Sequence, residues 1–257
     1  MAPHILVTND DGIDSPGLHA LALALSEVGD VTVVAPDRNW SISGHQKTLA
    51  RFLRADPYEL PHAGVRAFAA SGSPADCVAM AAMGLLERSL DLVVSGINKG
   101  PNLGQDITYS GTVAATFEAA IFGYPAVAVS LDSRDPTASF QDAAQVAARI
   151  ARRVLVEGLP RHSLLNINVP SLPATDWKGL QVTRLGRRDY LDTLARGVDP
   201  SGRPYYWITG EAPLGDIETS GTDIWAVHHG YVSVTPIRLD MTDHHLLDQV
   251  RAWNLES

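Results

Sequence analysis

The sequence predicts a three-layer α/β fold built on a mostly parallel sheet, and three observations carry that expectation. Short β-branched and aliphatic runs alternate with longer segments of helical spacing, the order that βαβ units require. The chain has 257 residues, 45% hydrophobic and 19% charged, enough to bury a substantial core without covalent staples. It holds one cysteine, Cys77, which leaves no disulfide framework and no thiolate metal site and points to a reducing compartment.

His4 to Thr8 reads as the first strand. Ser15 and Pro16 then introduce a helix whose Leu18, Leu21, Leu25 and Val28 share one stripe, and Val31 to Ala35 makes a second buried strand. After an irregular stretch the rhythm returns. A helix from about Pro74 to Glu87 precedes strand Leu92 to Ser95, and helix Gly111 to Phe122 precedes strand Ala126 to Leu131. Helix Phe140 to Val156 and strand Leu164 to Val169 complete the α/β part. Between Gly186 and Asp223 the pattern fails around Tyr205-Tyr206-Trp207, which predicts a hairpin arm leaving the core. Gly230 to Pro236 reads as a strand and His245 to Trp253 as a terminal helix. The expectation is therefore a single domain over 1–257: a core over about 1–185, an extended arm over about 186–224, and a C-terminal strand and helix over about 225–257.

Charge and hydropathy remove several functions. Twenty Lys and Arg against 29 Asp and Glu give a net charge of -9, which argues against long nucleic acid or a membrane surface as partner. The longest apolar stretch, Thr112 to Leu131, is interrupted by Glu118 and by Gly123-Tyr124-Pro125, so no membrane span is expected. Met1-Ala2-Pro3-His4 lacks the basic start and apolar run of a signal peptide, and the expected location is cytoplasmic.

Ligands of open α/β sheets collect outside the carboxyl ends of the parallel strands, and those loops hold the unusual residues here. They are Thr8-Asn9-Asp10-Asp11-Gly12, Pro36-Asp37-Arg38-Asn39-Trp40-Ser41 and Gly96-Ile97-Asn98-Lys99-Gly100. Adjacent carboxylates repel, and burial sharpens the repulsion, so such a pair needs a cation or hydrogen bonds. Gly12 lets the backbone turn so that both can approach one ion. Alternatively, either Asp caps the following helix. Asp, Ser and Asn oxygens are hard ligands, which makes Asp10, Asp11, Ser41 and Asn98 the candidate donors for Mg²⁺ or Mn²⁺, one ion per subunit, with Ca²⁺ also able to occupy the site. His228-His229 and His244-His245 are sequential pairs whose side chains diverge, without the i, i+4 spacing of a helical metal site. Tyr109-Ser110-Gly111-Thr112 precedes an apolar helix, so free backbone amides, the helix dipole and two hydroxyls can face a phosphate. Plain capping by Ser110 or Thr112 is the competing account.

These motifs together resemble the SurE family of metal-dependent nucleotidases over nearly the whole chain. The matching segments are Ile5-Leu6-Val7-Thr8-Asn9-Asp10-Asp11-Gly12, Ala35-Pro36-Asp37-Arg38-Asn39, Ser71-Gly72-Ser73-Pro74-Ala75-Asp76-Cys77-Val78, Ser95-Gly96-Ile97-Asn98 and Tyr109-Ser110-Gly111-Thr112-Val113. Leu165-Asn166-Ile167-Asn168-Val169-Pro170 and Gly230-Tyr231-Val232-Ser233-Val234-Thr235-Pro236 extend the match. The resemblance implies a Rossmann-like core, metal ligands at Asp10, Asp11, Ser41 and Asn98, and a phosphate turn at Ser110, Gly111 and Thr112, with Asn98 beside the phosphate. It implies hydrolysis of nucleoside 5′- and 3′-monophosphates, some activity on short polyphosphate, and homodimers or homotetramers formed through C-terminal elements. Trp40 stands where the family mostly has polar residues, and Ser73 where threonine is usual.

On this reading the cation polarises the phosphoryl group and delivers the attacking water, and Asn9 or a free oxygen of Asp10 or Asp11 positions that water. A second reading makes an Asp the nucleophile, through an aspartyl-phosphate, although enzymes of that kind carry Asp-x-Asp and here the acids are adjacent. A third is a metal-dependent binding module without catalysis, loosely suggested by Asp37, Ser41 and Ser43. Neither G-x-S-x-G nor G-x-x-x-x-G-K-[ST] occurs. Cys77 is expected to be a buried small side chain, Tyr205 to Trp207 a subunit contact, and Trp40 either a base-stacking contact or a cover over the site.

Overall fold

The computed structural model describes residues 2–61, 64–133, 135, 137–210, 214–253 and 255. In chain order the elements are β1 (His4–Thr8), α1 (Pro16–Ser26), β2 (Asp30–Pro36), β3 (Ala55–Tyr58), β4 (Arg66–Ala70), α2 (Pro74–Met80), β5 (Leu92–Lys99), α3 (Gly111–Ile121), β6 (Ala126–Asp132), α4 (Gln141–Glu157) and β7 (Ser163–Pro170). They continue as β8 (Leu180–Val182), β9 (Arg188–Asp189), β10 (Asp192–Val198), β11 (Pro204–Gly210), β12 (Leu214–Gly215), α5 (Asp223–His228), β13 (Val232–Arg238) and α6 (Leu246–Arg251).

Among the described residues one sheet of nine strands runs in the order β3-β4-β2-β1-β5-β6-β7-β13-β8. Its middle, from β4 to β7, is parallel; β3 pairs antiparallel with β4 at one edge, and β13 antiparallel with β7 toward the other. Period-two side-chain alternation divides the core between the faces. Ile5 and Val7 of β1, Val33 of β2, Leu92 and Val94 of β5 and Val127 and Val129 of β6 face the layer formed by α1 and α4. Leu6, Val34, Val93, Ala126 and Ala128 face the layer formed by α2 and α3. Three layers result, and the six strands from β4 to β7 in that order all point their carboxyl ends toward the same rim.

Most strands and helices fall where the spacing predicts them, and the departures have physical reasons. Strands β3 and β4 are absent from the expectation, because Ala55-Asp56-Pro57-Tyr58 and Arg66-Ala67-Phe68-Ala69-Ala70 hold no β-branched residue. Helix α2 stops at Met80, short of the expected Glu87, and the next turn reaches Gly84 at φ 123°, outside helical space. Strand β5 runs on to Lys99, so Asn98 lies on a strand with a register shift behind it and not in a loop. Helix α5 begins at the end of the segment expected to be arm and runs into the segment expected to hold only the C-terminal strand and helix.

The arm itself contains an antiparallel hairpin, Asp192 to Val198 against Pro204 to Gly210. Leu194, Tyr205, Tyr206, Trp207 and Ile208 are all exposed on it. Residues 211–213 of the expected arm, and 254, 256 and 257 of the expected C-terminal segment, lie outside the described residues. Cys77 is fully buried, and burial pushes its thiol well above the usual range, as expected of an inert core side chain.

Candidate active site

The chain leaves β1 through Asn9, Asp10, Asp11 and Gly12, and this short loop closes on itself. The Asn9 side chain donates to the Gly12 carbonyl at 2.9 Å and accepts from the Gly12 amide at 3.2 Å. Gly12 takes φ 101°, a conformation that costs a residue with a Cβ. Asn9 is fully buried and both its polar groups are engaged, so it fixes the turn.

That turn delivers two carboxylates into different surroundings. Asp10 is 3% exposed, and burial pushes its carboxyl up to about 6. Hydrogen bonds from the Thr112 hydroxyl and backbone pull it down, and the neighbouring Asp11 pushes it up again. Asp11 also sits above its ordinary value through burial, opposed by the Lys99 amide at 3.3 Å from Oδ2 and the Asn39 side chain at 3.3 Å from Oδ1. Two carboxylates held partly desolvated, side by side, with a raised cost of ionisation, are a donor set suited to a cation.

After β2 a long strap, residues 37–54, crosses the sheet rim, and most of its ties are to distant elements. The Trp40 amide donates to the Asp10 carbonyl at 2.7 Å, and the Gly44 amide to the Tyr109 carbonyl at 2.9 Å. Further along, His45 and Lys47 both reach the buried Glu118 of α3, at 2.9 and 2.6 Å. Burial pushes the Glu118 carboxyl up, but these two partners hold it below its ordinary value. Ser73 donates to the Gln46 carbonyl at 2.6 Å, and Asp76 accepts from the Thr48 amide at 2.8 Å. Ser73 and Asp76 also form the capping box of α2, so the Ser-x-x-Asp pattern serves helix and strap together.

The strap brings Ser41 to the site, its amide donating to Asn39 Oδ1 at 2.8 Å while the same Asn39 holds Asp11. Trp40 is half-buried with the Arg38 guanidinium 4.9 Å from its ring centroid, so one face of the indole is already covered.

The end of β5 supplies Asn98. Its amide group donates to the Gly100 carbonyl at 2.9 Å, which leaves Oδ1 as an acceptor. The following loop is pinned from below by β6 and β7. Asn102 donates its amide to Asn168 Oδ1 at 2.8 Å and its side chain to Ser130 at 2.7 Å, and its carbonyl accepts from Asn166 and Asn168 at 2.8 and 3.0 Å. Asn166 and Asn168, two apart on β7, share one face of the strand and act as one clamp.

Helix α3 begins at the same rim. Ser110 caps it by accepting from the Val113 amide at 3.1 Å, and Thr112 donates its hydroxyl to Asp10. A Cβ on Gly111 would lie 2.7 Å from Asp10 Cβ, 3.0 Å from Asp10 Oδ2 and 3.1 Å from Ser43 Oγ, so only glycine lets the helix approach this closely. The Thr112 proton is therefore committed to Asp10, whereas Ser110, an acceptor in its cap, keeps its proton for another partner.

The structure thus gathers Asn9, Asp10, Asp11, Trp40, Ser41, Asn98, Ser110, Gly111 and Thr112 on one rim. Sequence reasoning does not place Asn39, Asn102 or Glu118 at this rim, offers Ser43 only within the loose Asp37, Ser41 and Ser43 pattern of a metal-dependent binder, and gives the pair Asn166 and Asn168 no structural role. The alternation of Asn166 and Asn168 within a buried strand was the readable signal, because buried amides require partners. Among the described residues no three His, Cys, Asp or Glu cluster as metal ligands; the set here is two carboxylates with neutral oxygens.

A family model described as "Survival protein SurE" matches residues 5–192. The "5'-nucleotidase SurE" of Chloroflexus aggregans is 50% identical over 254 residues, covering 98% of this chain and all of that one. That of Geobacter sulfurreducens is 50% identical over 255 residues, covering 99% of this chain and 95% of that one. The crystal structure of the SurE protein from Aquifex aeolicus superposes with a TM-score of 0.84 at 43% identity, covering 98% of this chain and 99% of that one.

Proposed function

The chain belongs to the SurE family, and from that premise we propose that it is a metal-dependent phosphomonoesterase that hydrolyses nucleoside 5′- and 3′-monophosphates. The observation that carries the reading is the meeting of Asp10 with the first turn of α3, while the adjacent Asp11 reaches the end of β5 that carries Asn98. Adjacent carboxylates close to a helix N-terminus accommodate a cation and a phosphate as neighbours.

Asp10, Asp11, Ser41 and Asn98 would hold one Mg²⁺ or Mn²⁺ per subunit. The fit rests on the hardness of these oxygens and on the desolvation that raises both carboxyls. When bound, such an ion supplies charge neutralisation at the phosphoryl oxygens and lowers the pKa of water. The chain's own residues do the rest. Thr112 holds Asp10 Oδ1, Asn39 and the Lys99 amide hold the two oxygens of Asp11, and the α3 amides with Ser110 face the phosphate. Asn9 has both polar groups in its turn, so positioning of the attacking water falls to the free oxygen of Asp10.

Short polyphosphate is a second substrate class of the same reading. The exposed aromatic hairpin β10–β11, with α6, is proposed as the contact that makes a homodimer or homotetramer; Trp207→Asp should lower the mass measured by light scattering. Among the described residues no helix is long and apolar enough to cross a membrane. Together with the single cysteine this supports a cytoplasmic location.

The test is phosphate release from 5′-AMP by the purified chain. Manganese should support turnover, EDTA should abolish it, and excess Mn²⁺ should restore it. Undiminished turnover in EDTA, or no release from any nucleoside monophosphate, would overturn the proposal.

A further inference from the structure

Between Trp40 and His45 the strap makes an unusual reversal. Ile42 takes φ 61°, a conformation strongly disfavoured for a β-branched residue, and Gly44 takes φ 59°. The consequence is a division of side chains. Ile42 is thrown outward, 83% exposed, while Ser43 between the two reversals turns inward until its hydroxyl is shielded from solvent. The turn is locked on both sides, by the Ser43 amide to the Trp40 carbonyl at 3.2 Å and the Gly44 amide to the Tyr109 carbonyl at 2.9 Å. Backbone strain of this kind persists only where the surroundings enforce it, and here its product is the placement of one hydroxyl.

That hydroxyl has no hydrogen-bond partner among the described residues. A buried hydroxyl left unpaired is costly, so its surroundings indicate what it is built to meet. They are the first turn of α3 and the Asp10 carboxylate, since Ser43 Oγ and Asp10 Oδ2 lie 3.1 and 3.0 Å from the same point above Gly111. The hydroxyls of the turn itself are wholly or partly committed. Thr112 donates to Asp10, and Ser110 accepts within the helix cap. Ser43 is the one whose donor and acceptor capacity are both uncommitted.

We propose that Ser43 is a further catalytic residue, donating its hydroxyl to a nonbridging oxygen of the phosphoryl group bound at the start of α3. This rests on the reading of that turn as the phosphate site. The donor comes from the strap and not from α3 itself, so the strap adds to the phosphate site a hydroxyl that neither the β1 loop nor the helix turn supplies. A hydrogen bond to a charged oxygen that strengthens in the transition state lowers both affinity and turnover when removed.

Ser43→Ala and Ser43→Thr test this against the unmodified chain, with thermal melting to confirm folding and two readouts. The first is calorimetric binding of inorganic phosphate to the Mn²⁺-loaded protein. The second is steady-state hydrolysis of 5′-AMP across a Mn²⁺ titration. Ser43→Ala should weaken phosphate binding about tenfold and lower kcat/KM by about 10- to 100-fold, with the half-saturating Mn²⁺ concentration unchanged, and Ser43→Thr should recover most of both. Phosphate affinity and kcat/KM within twofold of the unmodified chain would overturn the assignment. So would a change confined to the Mn²⁺ requirement, which would make Ser43 a support for Asp10. If the unmodified chain binds phosphate and releases none from 5′-AMP, the nucleotidase reading fails, while weaker phosphate binding by Ser43→Ala still upholds the contact. If the unmodified chain binds no phosphate, the contact falls with the site.

Discussion

The loop after β1 and the strap after β2 border the same site and are held in opposite ways. The β1 loop is short and largely buried, and is closed by a residue of its own, Asn9 reaching Gly12. The strap is long and largely exposed, and is tied mainly to residues distant in sequence, among them Glu118, Ser73, Asp76 and the Tyr109 carbonyl. Carboxylates that must sit desolvated at fixed separation come from the self-closed loop. Neutral oxygens such as Ser41, which tolerate adjustment, come from the strap. The comparison teaches that local closure is placed where like charges meet, and long-range ties where the groups presented are neutral.

Gly111→Ala strikes both regions at once and should have the largest effect, because its Cβ would crowd Asp10 from the loop and Ser43 from the strap. Phosphomonoesterase activity should fall at least about 100-fold. Near-normal kinetics would mean that the approach of α3 to the rim is incidental.

Asn9→Ala breaks the β1 loop alone. It leaves the Gly12 amide without its buried partner and the Gly12 carbonyl with the Ser15 amide alone, and should cost about 1–3 kcal/mol of stability, read by urea unfolding, along with most of the activity. Loss of stability with activity intact would separate the turn from the chemistry.

Glu118→Gln loosens the strap alone. Hydrogen exchange at residues 45–48 should quicken, and KM should rise a few-fold with little change in kcat. The pH dependence is smaller still and has a definite sign. Glu118 is held below its ordinary 4.5, so its contribution to stability is present above that pH and fades as pH falls through the lower folded value. Strap exchange should therefore quicken on acidification below about pH 4.5 in the unmodified chain, and the Gln variant should lack that step.

The same contrast explains what could be read from the sequence. Asn9-Asp10-Asp11-Gly12 could be read because turn, charge and strand end lie within a few residues, and the α3 turn for the same reason. The parallel strands and their helices were legible through period two and period 3.6. The strap was not, since its path depends on Glu118 and Asp76, whose partners no local spacing reveals. Ser43 reads in the sequence only as part of a loose pattern with Asp37 and Ser41, and it is the reversal at Ile42 that turns it inward. Asn98 reads as a loop residue because Gly96 interrupts the aliphatic run of β5, which continues as strand to Lys99. Strands β3 and β4 escape because neither holds a β-branched residue, and pairing more than propensity supports them.

The central claim is that Asp10, held by Thr112 against α3, is the carboxylate on which metal-dependent hydrolysis depends. Asp10→Asn keeps the shape and an acceptor for Thr112 while removing the charge. Measured with 5′-AMP at saturating Mn²⁺, the account predicts turnover reduced at least about 100-fold in a protein that melts no lower than the unmodified chain. Near-normal turnover by that folded variant would contradict it.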